Sequence, residues 1–184
     1  MDNHSTNGRV VDLLHERIED SLPLNGEFFH VRCSAHILNL IVREGIKRLD
    51  KSVSRIRDAV KFIKYSPQRL KIFGDLAKQL KLDVKKKLLL DVVTRWNSTF
   101  LMLERALEFK AVFKDFHSVE NFAEPPTEID WHLAMELCKF LKIFDDVTNI
   151  FSASKTPMAN LYFHNVCMIQ MHLRKERNEH IITL

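Results

Sequence analysis

Apolar positions recur at helical spacing over most of this chain. Val10, Val11, Leu14 and Ile18 make the first stripe. Ser5 or Asn7 offers a side-chain oxygen to cap that helix, and Pro23 with Asn25-Gly26 ends it. Residues 27–33 follow a different period. Phe29, Val31 and Cys33 fall on one face and Phe28, His30 and Arg32 on the other, which predicts a short β-strand. From Ala35 the helical period returns, in one stripe of Ile37, Leu38, Ile41 and Leu49 and a second of Val53, Ile56, Val60 and Ile63. Ser66-Pro67 interrupts the run, and Gln68–Leu80 resumes it. Leu82–Val93 fits helix or strand equally. A helix is expected from Asn97 or Ser98, with Phe100, Leu103, Leu107 and Phe113 on its apolar side. Glu124-Pro125-Pro126-Thr127 reads as a linker. Beyond it, helices are expected over about Ile129–Phe151 and from about Pro157.

Composition supports this helical reading. With 4 Gly and 5 Pro among 184 residues there is little material for tight hairpins, and a 46% hydrophobic content is enough for a core. One strand cannot satisfy its own backbone groups, so the pattern implies that its partners are encoded elsewhere. No apolar run is long enough to span a bilayer, so no membrane partner is expected. The 3 cysteines, Cys33, Cys138 and Cys167, make neither a disulfide framework nor a CxxC pair. His164 and His172 near Cys167 form no convincing ligand set.

Charge changes the picture more. The net charge is +4, but Arg43–Lys87 holds 15 Lys/Arg against 5 Asp/Glu. Its cations include Arg55, Arg57, Lys61, Lys64, Arg69, Lys71 and the run Lys85-Lys86-Lys87. Such a segment suits a polyanion, by neutralising phosphates rather than reading bases. Solvated helix faces are also rich in Lys, and that alternative stays open.

Two blocks carry a more specific signal. The first is Phe28-Phe29-His30-Val31-Arg32-Cys33-Ser34-Ala35-His36-Ile37-Leu38-Asn39-Leu40-Ile41-Val42. The second is Leu90-Asp91-Val92-Val93-Thr94-Arg95-Trp96-Asn97-Ser98-Thr99-Phe100-Leu101-Met102-Leu103. In this order and separation they resemble the hAT transposase superfamily, in particular its plant BED-finger branch of RICESLEEPER- and DAYSLEEPER-like proteins. The resemblance implies an RNase-H-like core whose two Asp and one Glu hold two Mg²⁺ or Mn²⁺ ions, hard cations that prefer oxygen ligands. A helical insertion separates the second Asp from the Glu.

On that resemblance Asp2, in Asp2-Asn3-His4-Ser5-Thr6-Asn7, corresponds to the second acid. The block that holds the Glu has no counterpart here. The chain is therefore expected to begin at the second acid and end before the third, without the BED finger or the dimerisation segment. No complete metal site and no cofactor of its own are expected. Cys33 and His36 are implied to organise the core or touch DNA; half a zinc site, or a buried thiol beside a hydrogen-bonded His, fits the same residues. Trp96 is implied to stack on a flipped base, with Arg95 pairing a phosphate. Read from its residues alone, Trp96 is a helix-entry Trp packed on the core, with Asn97 or Ser98 as the cap.

The expected fold is mainly α with a short β element: a partial RNase-H-like core over 1–34, a helical insertion with the basic segment over 35–123, and a helical continuation over 124–184. The expected function is that of a nuclear, catalytically incomplete DNA-binding fragment of a hAT-type transposase or a domesticated derivative. DNA is its partner, through Lys85, Lys86, Lys87, Arg95 and Trp96, and no small-molecule substrate is expected. The alternatives are a helical protein-interaction module, with a protein partner or a second copy of itself, and a truncated, non-functional gene product.

Overall fold

The structure is a computed structural model describing residues 5–18, 21–22, 34–47, 49–83, 85–120, 122–152 and 159–182. Eight helices run through these residues: α1 (Ser5–Ile18), α2 (Ser34–Lys47), α3 (Asp50–Lys64), α4 (Pro67–Gln79), α5 (Trp96–Glu108), α6 (Lys110–Val119), α7 (Glu128–Ser152) and α8 (Ala159–Ile182). Among the described residues there is no strand, so the short β element is not supported; its expected span, 27–33, lies outside them. The described residues of the Leu82–Val93 segment, 82–83 and 85–93, are neither helix nor strand. Leu88 is buried there while Val92 and Val93 are exposed, so its apolar residues do not share one face.

The chain divides into two units, one of Met1–Ile41 with Val147–Leu184 and the other of Val42–Asp146. In the second unit the sequence stripes become a core. Val53, Ile56, Val60 and Ile63 of α3 are each at most 1% exposed. Phe73 of α4 lies 5.1 Å from Phe113 and 5.9 Å from Phe116 of α6, in the edge-to-face arrangement that aromatic quadrupoles favour. Phe113 also meets Trp131 of α7 at 5.3 Å, so one aromatic cluster ties three helices together. Glu124–Thr127 runs between α6 and α7 within this unit.

Helix ends follow local chemistry. Pro67 occupies the first position of α4, where its missing N–H is no loss, and the Ser66 hydroxyl accepts from the Arg69 amide at 3.4 Å. The helix expected from Asn97 or Ser98 starts at Trp96 and is broken at Phe109, whose amide bonds back to the Ala106 carbonyl. Burying Phe109 at 3% exposure while the chain turns separates α5 from α6. At α7, Thr127 and Asp130 form a capping box: the Asp130 amide donates to the Thr127 hydroxyl, and the Asp130 carboxylate accepts from the Thr127 amide at 2.8 Å.

The other unit is different. Leu38, Val147 and Ile169 are buried in it. Along α1, however, Val10, Leu13, Leu14 and Ile18 are exposed. On α8, Phe163 is 76% and Met171 66% exposed.

Candidate nucleic-acid interface

The basic segment is aimed by the end of α4. Lys81 sits in the left-handed region, φ 57°, immediately after the helix. The Leu82 amide bonds to the Ala77 carbonyl at 3.0 Å and the Lys81 amide to the Lys78 carbonyl at 3.0 Å. This is the double closure of a Schellman turn, with lysine at the position glycine usually takes. The turn reverses the chain into the Asp83–Arg95 loop, whose first turn is fixed when the Asp83 carboxylate accepts from the Lys85 amide at 3.0 Å.

A buried ion pair anchors the far side of that loop. Asp91 accepts from Arg57 Nε, with contacts of 3.0 and 2.9 Å to its two oxygens, and from the Thr99 hydroxyl at 2.9 Å. Arg57 Nη2 lies 2.9 Å from Asp91 as well, and the carboxylate is fully enclosed. The geometry is the bidentate fork that guanidinium and carboxylate favour. It pins the loop to α3 and α5 together. Lys64 donates to the Leu88 carbonyl at 2.9 Å, and the Ser98 hydroxyl accepts from the Val92 amide at 2.8 Å.

The sequence reading missed Asp91, although a lone acid in the run Leu88-Leu89-Leu90-Asp91-Val92-Val93 is the mark of a charge that must be paired on burial. It also missed Asp130. Burial opposes ionisation of that carboxyl, but hydrogen bonds from Ser52, from the Thr127 amide and hydroxyl and from Arg55 outweigh it and hold the pKa at about 2. Ser52 donates at 2.7 Å and Arg55 at 3.2 Å, so Asp130 fastens α7 to α3.

These contacts redistribute the basic segment. Arg57 and Arg55 are committed to buried carboxylates. Arg69 lies 3.6 Å over the Phe62 ring and 3.5 Å from Glu120, and Lys61 is 3.8 Å from Asp58. Much of the positive excess in the sequence therefore serves the helical unit itself. Lys71, Lys81, Lys85, Lys87 and Arg95 are exposed and make no ion pair among the described residues. Lys86 is exposed but lies 2.9 Å from Glu108.

Trp96 is not on that surface. It is 1% exposed, its ring 6.5 Å from Phe100, and its indole N–H has no acceptor. This burial is the arrangement of the core-packed alternative. Arg95 itself precedes the helix without a side-chain cap bond. Neither Asn97 nor Ser98 caps α5: Ser98 bridges the loop backbone, and Asn97 donates to Asp145 at 3.3 Å.

Asp2 and Cys33 lie outside the described residues, and His36 is placed only by its backbone, in the first turn of α2. Among the described residues no group of three His, Cys, Asp or Glu is arranged to hold a metal ion. Burial, with Glu104 nearby, pushes the Cys138 thiol up to about 12, which disfavours the thiolate. No helix among the described residues is long and apolar enough to cross a membrane.

The chain is similar in sequence to known proteins. The family model of the ZBED1 RNase-like helical domain matches residues 31–140. Zinc finger BED domain-containing protein RICESLEEPER 2 of Oryza sativa subsp. japonica is 38% identical over 156 residues, covering 84% of this chain and 22% of that protein. Putative AC transposase of Zea mays is 35% identical over 176 residues, covering 92% of this chain and 22% of that protein. DAYSLEEPER of Arabidopsis thaliana is 34% identical over 104 residues, covering 56% of this chain and 15% of that protein. The chain thus spans about a fifth of the length of the first two relatives. No solved structure matches. The chain belongs to the hAT-type, transposase-related family that carries the RNase-like helical domain.

Proposed function

We propose that this chain binds DNA through the phosphate backbone, using Lys85, Lys87 and Arg95 with support from Lys86, and that it does not perform strand transfer by itself. The observation that carries the reading is one loop, closed by the Lys81 turn and clamped by the Arg57–Asp91 pair, that presents these cations to solvent. A fixed loop holds its charges at defined positions, so less ordering accompanies each phosphate contact. Trp96 contributes by packing the first turn of α5, which fixes the residue before it. The site of action that fits this role is the nucleus.

The expectation about strand transfer comes from the resemblance and its acids. The resemblance requires three, and Asp2 is the one counterpart in the sequence. Mg²⁺ or Mn²⁺ would supply Lewis-acid chemistry only where all three acids meet.

The test is duplex binding by Lys85→Gln, Lys87→Gln and Arg95→Gln variants. Each is expected to weaken binding to a similar degree on unrelated sequences, as backbone contacts do. Binding unchanged in all three, or a loss confined to one DNA sequence, overturns the reading. A second reading, a protein-interaction module, is favoured by the exposed Phe163 and Met171 of α8. It gains ground if duplex affinity is absent while Phe163→Ser abolishes a protein contact.

A further inference from the structure

Next to the basic loop, and sharing Lys86 and Lys87 with it, lies an apolar groove whose floor takes no part in the proposed phosphate contacts. It has a volume of about 240 Å³. Phe73, Ala77, Leu88 and Phe109, each nearly fully buried, form its floor, and Gly74 opens one wall. Its rim is Leu70, 44% exposed, with Lys64, Lys86 and Lys87, and no acidic side chain lines it. Lys64 is held in place by its bond to the Leu88 carbonyl, and Glu108 lies just outside, paired with Lys86.

We propose that this groove docks an acidic peptide that inserts one bulky apolar side chain. Three observations select that occupant. The volume is below the roughly 300–1,000 Å³ of small-molecule and cofactor sites, and suits a side chain. The floor side chains, Phe73, Ala77, Leu88 and Phe109, are hydrocarbon. An extruded nucleobase would leave its polar edge unpaired there, at about 1–3 kcal/mol per group, whereas a Leu or Phe side chain loses nothing. The rim is lysine without a lining carboxylate, so Asp and Glu on either side of the anchor complement it. Gly74 adds access: a Cβ built there meets nothing within 4 Å, so the wall is open to a peptide backbone.

The experiment is selection of a displayed random-peptide library on the full chain. Enriched peptides are expected to pair Leu, Phe or Trp with flanking Asp or Glu. Binding of one such peptide should fall about tenfold or more in Gly74→Leu, the loss of one well-buried apolar contact. It should fall severalfold in Lys87→Glu. Leu70→Glu, at an exposed rim position, is expected to weaken the peptide in the same way and stands in if Gly74→Leu folds poorly. Duplex affinity should be unchanged in Gly74→Leu. No enrichment overturns the proposal, as do peptides that bind Gly74→Leu and Leu70→Glu as well as the parent chain. It is equally overturned if a labelled single-stranded oligonucleotide, and no peptide, loses its binding in those two variants.

Discussion

Helices α1 and α3 carry the same kind of apolar stripe and meet different fates. In α3, Val53, Ile56, Val60 and Ile63 are covered by neighbouring helices and are at most 1% exposed. In α1, Val10, Leu13, Leu14 and Ile18 lie 36–49% exposed. α8 extends the contrast, since Phe163 and Met171 are open while the aromatic rings of α4 and α6 interlock. Periodicity is a property of the local chain, whereas coverage requires a surface that arrives from elsewhere. The Val42–Asp146 unit supplies that surface from within, through aromatic packing and two buried carboxylates. A stripe of large apolar residues left open marks a face suited to a partner.

Mutations should sharpen the contrast, beginning with the Arg57–Asp91 clamp. Asp91→Ala is expected to destabilise the protein by about 3–5 kcal/mol, because it leaves Arg57 buried without a counter-charge. Chemical denaturation measures the loss. The double change Arg57→Met with Asp91→Leu should recover most of it, since no unpaired charge remains.

The next effect is pH-dependent. Asp130 titrates at about 2 when folded, below its ordinary value near 4. A depressed carboxyl contributes stability above its unfolded pKa and loses it as pH falls through the folded one. Asp130 should therefore contribute roughly 2–3 kcal/mol at neutral pH that disappears between about pH 4 and pH 2. Asp130→Ala should show that loss already at pH 7, and a flatter acid limb in a series of thermal melts.

Smaller still is the strain at Lys81. Lys81→Gly is expected to raise stability by about 1 kcal/mol, because glycine adopts positive φ without the Cβ clash. The weakest responses belong to the open stripes. Leu13→Ser on α1 and Phe163→Ser on α8 should change stability by no more than about 0.5 kcal/mol in the same denaturation assay. A loss of several kcal/mol at either position would mean that these faces are covered, and would erase the contrast.

The helices were largely legible in the sequence because each declares itself locally. Ser66-Pro67 marked the break before α4, and Glu124–Thr127 the gap before α7. The split of α5 from α6 was not legible. The apolar spacing runs straight through Phe109, and only tertiary burial shows that the chain turns there. The candidate interface was half legible. Lysines 85–87 and Arg95 could be picked out by charge and motif, and they are exposed. Which arginines face inward depends on carboxylates far along the chain: Asp91 lies 34 residues from Arg57, and Asp130 75 residues from Arg55. Trp96 shows the limit of a motif, since the same Arg-Trp pair serves an exposed or a buried indole, and burial decides between them.

The central claim is that the clamped loop meets phosphates, and the salt dependence of duplex binding tests it most directly. Affinity plotted against salt on logarithmic axes should fall linearly, by about 0.9 in slope for each phosphate neutralised. The combined Lys85→Gln, Lys87→Gln and Arg95→Gln variant should keep the fold while its slope is shallower by about 3 × 0.9. A slope identical to that of the parent chain, or no measurable duplex affinity at low salt, would contradict the account.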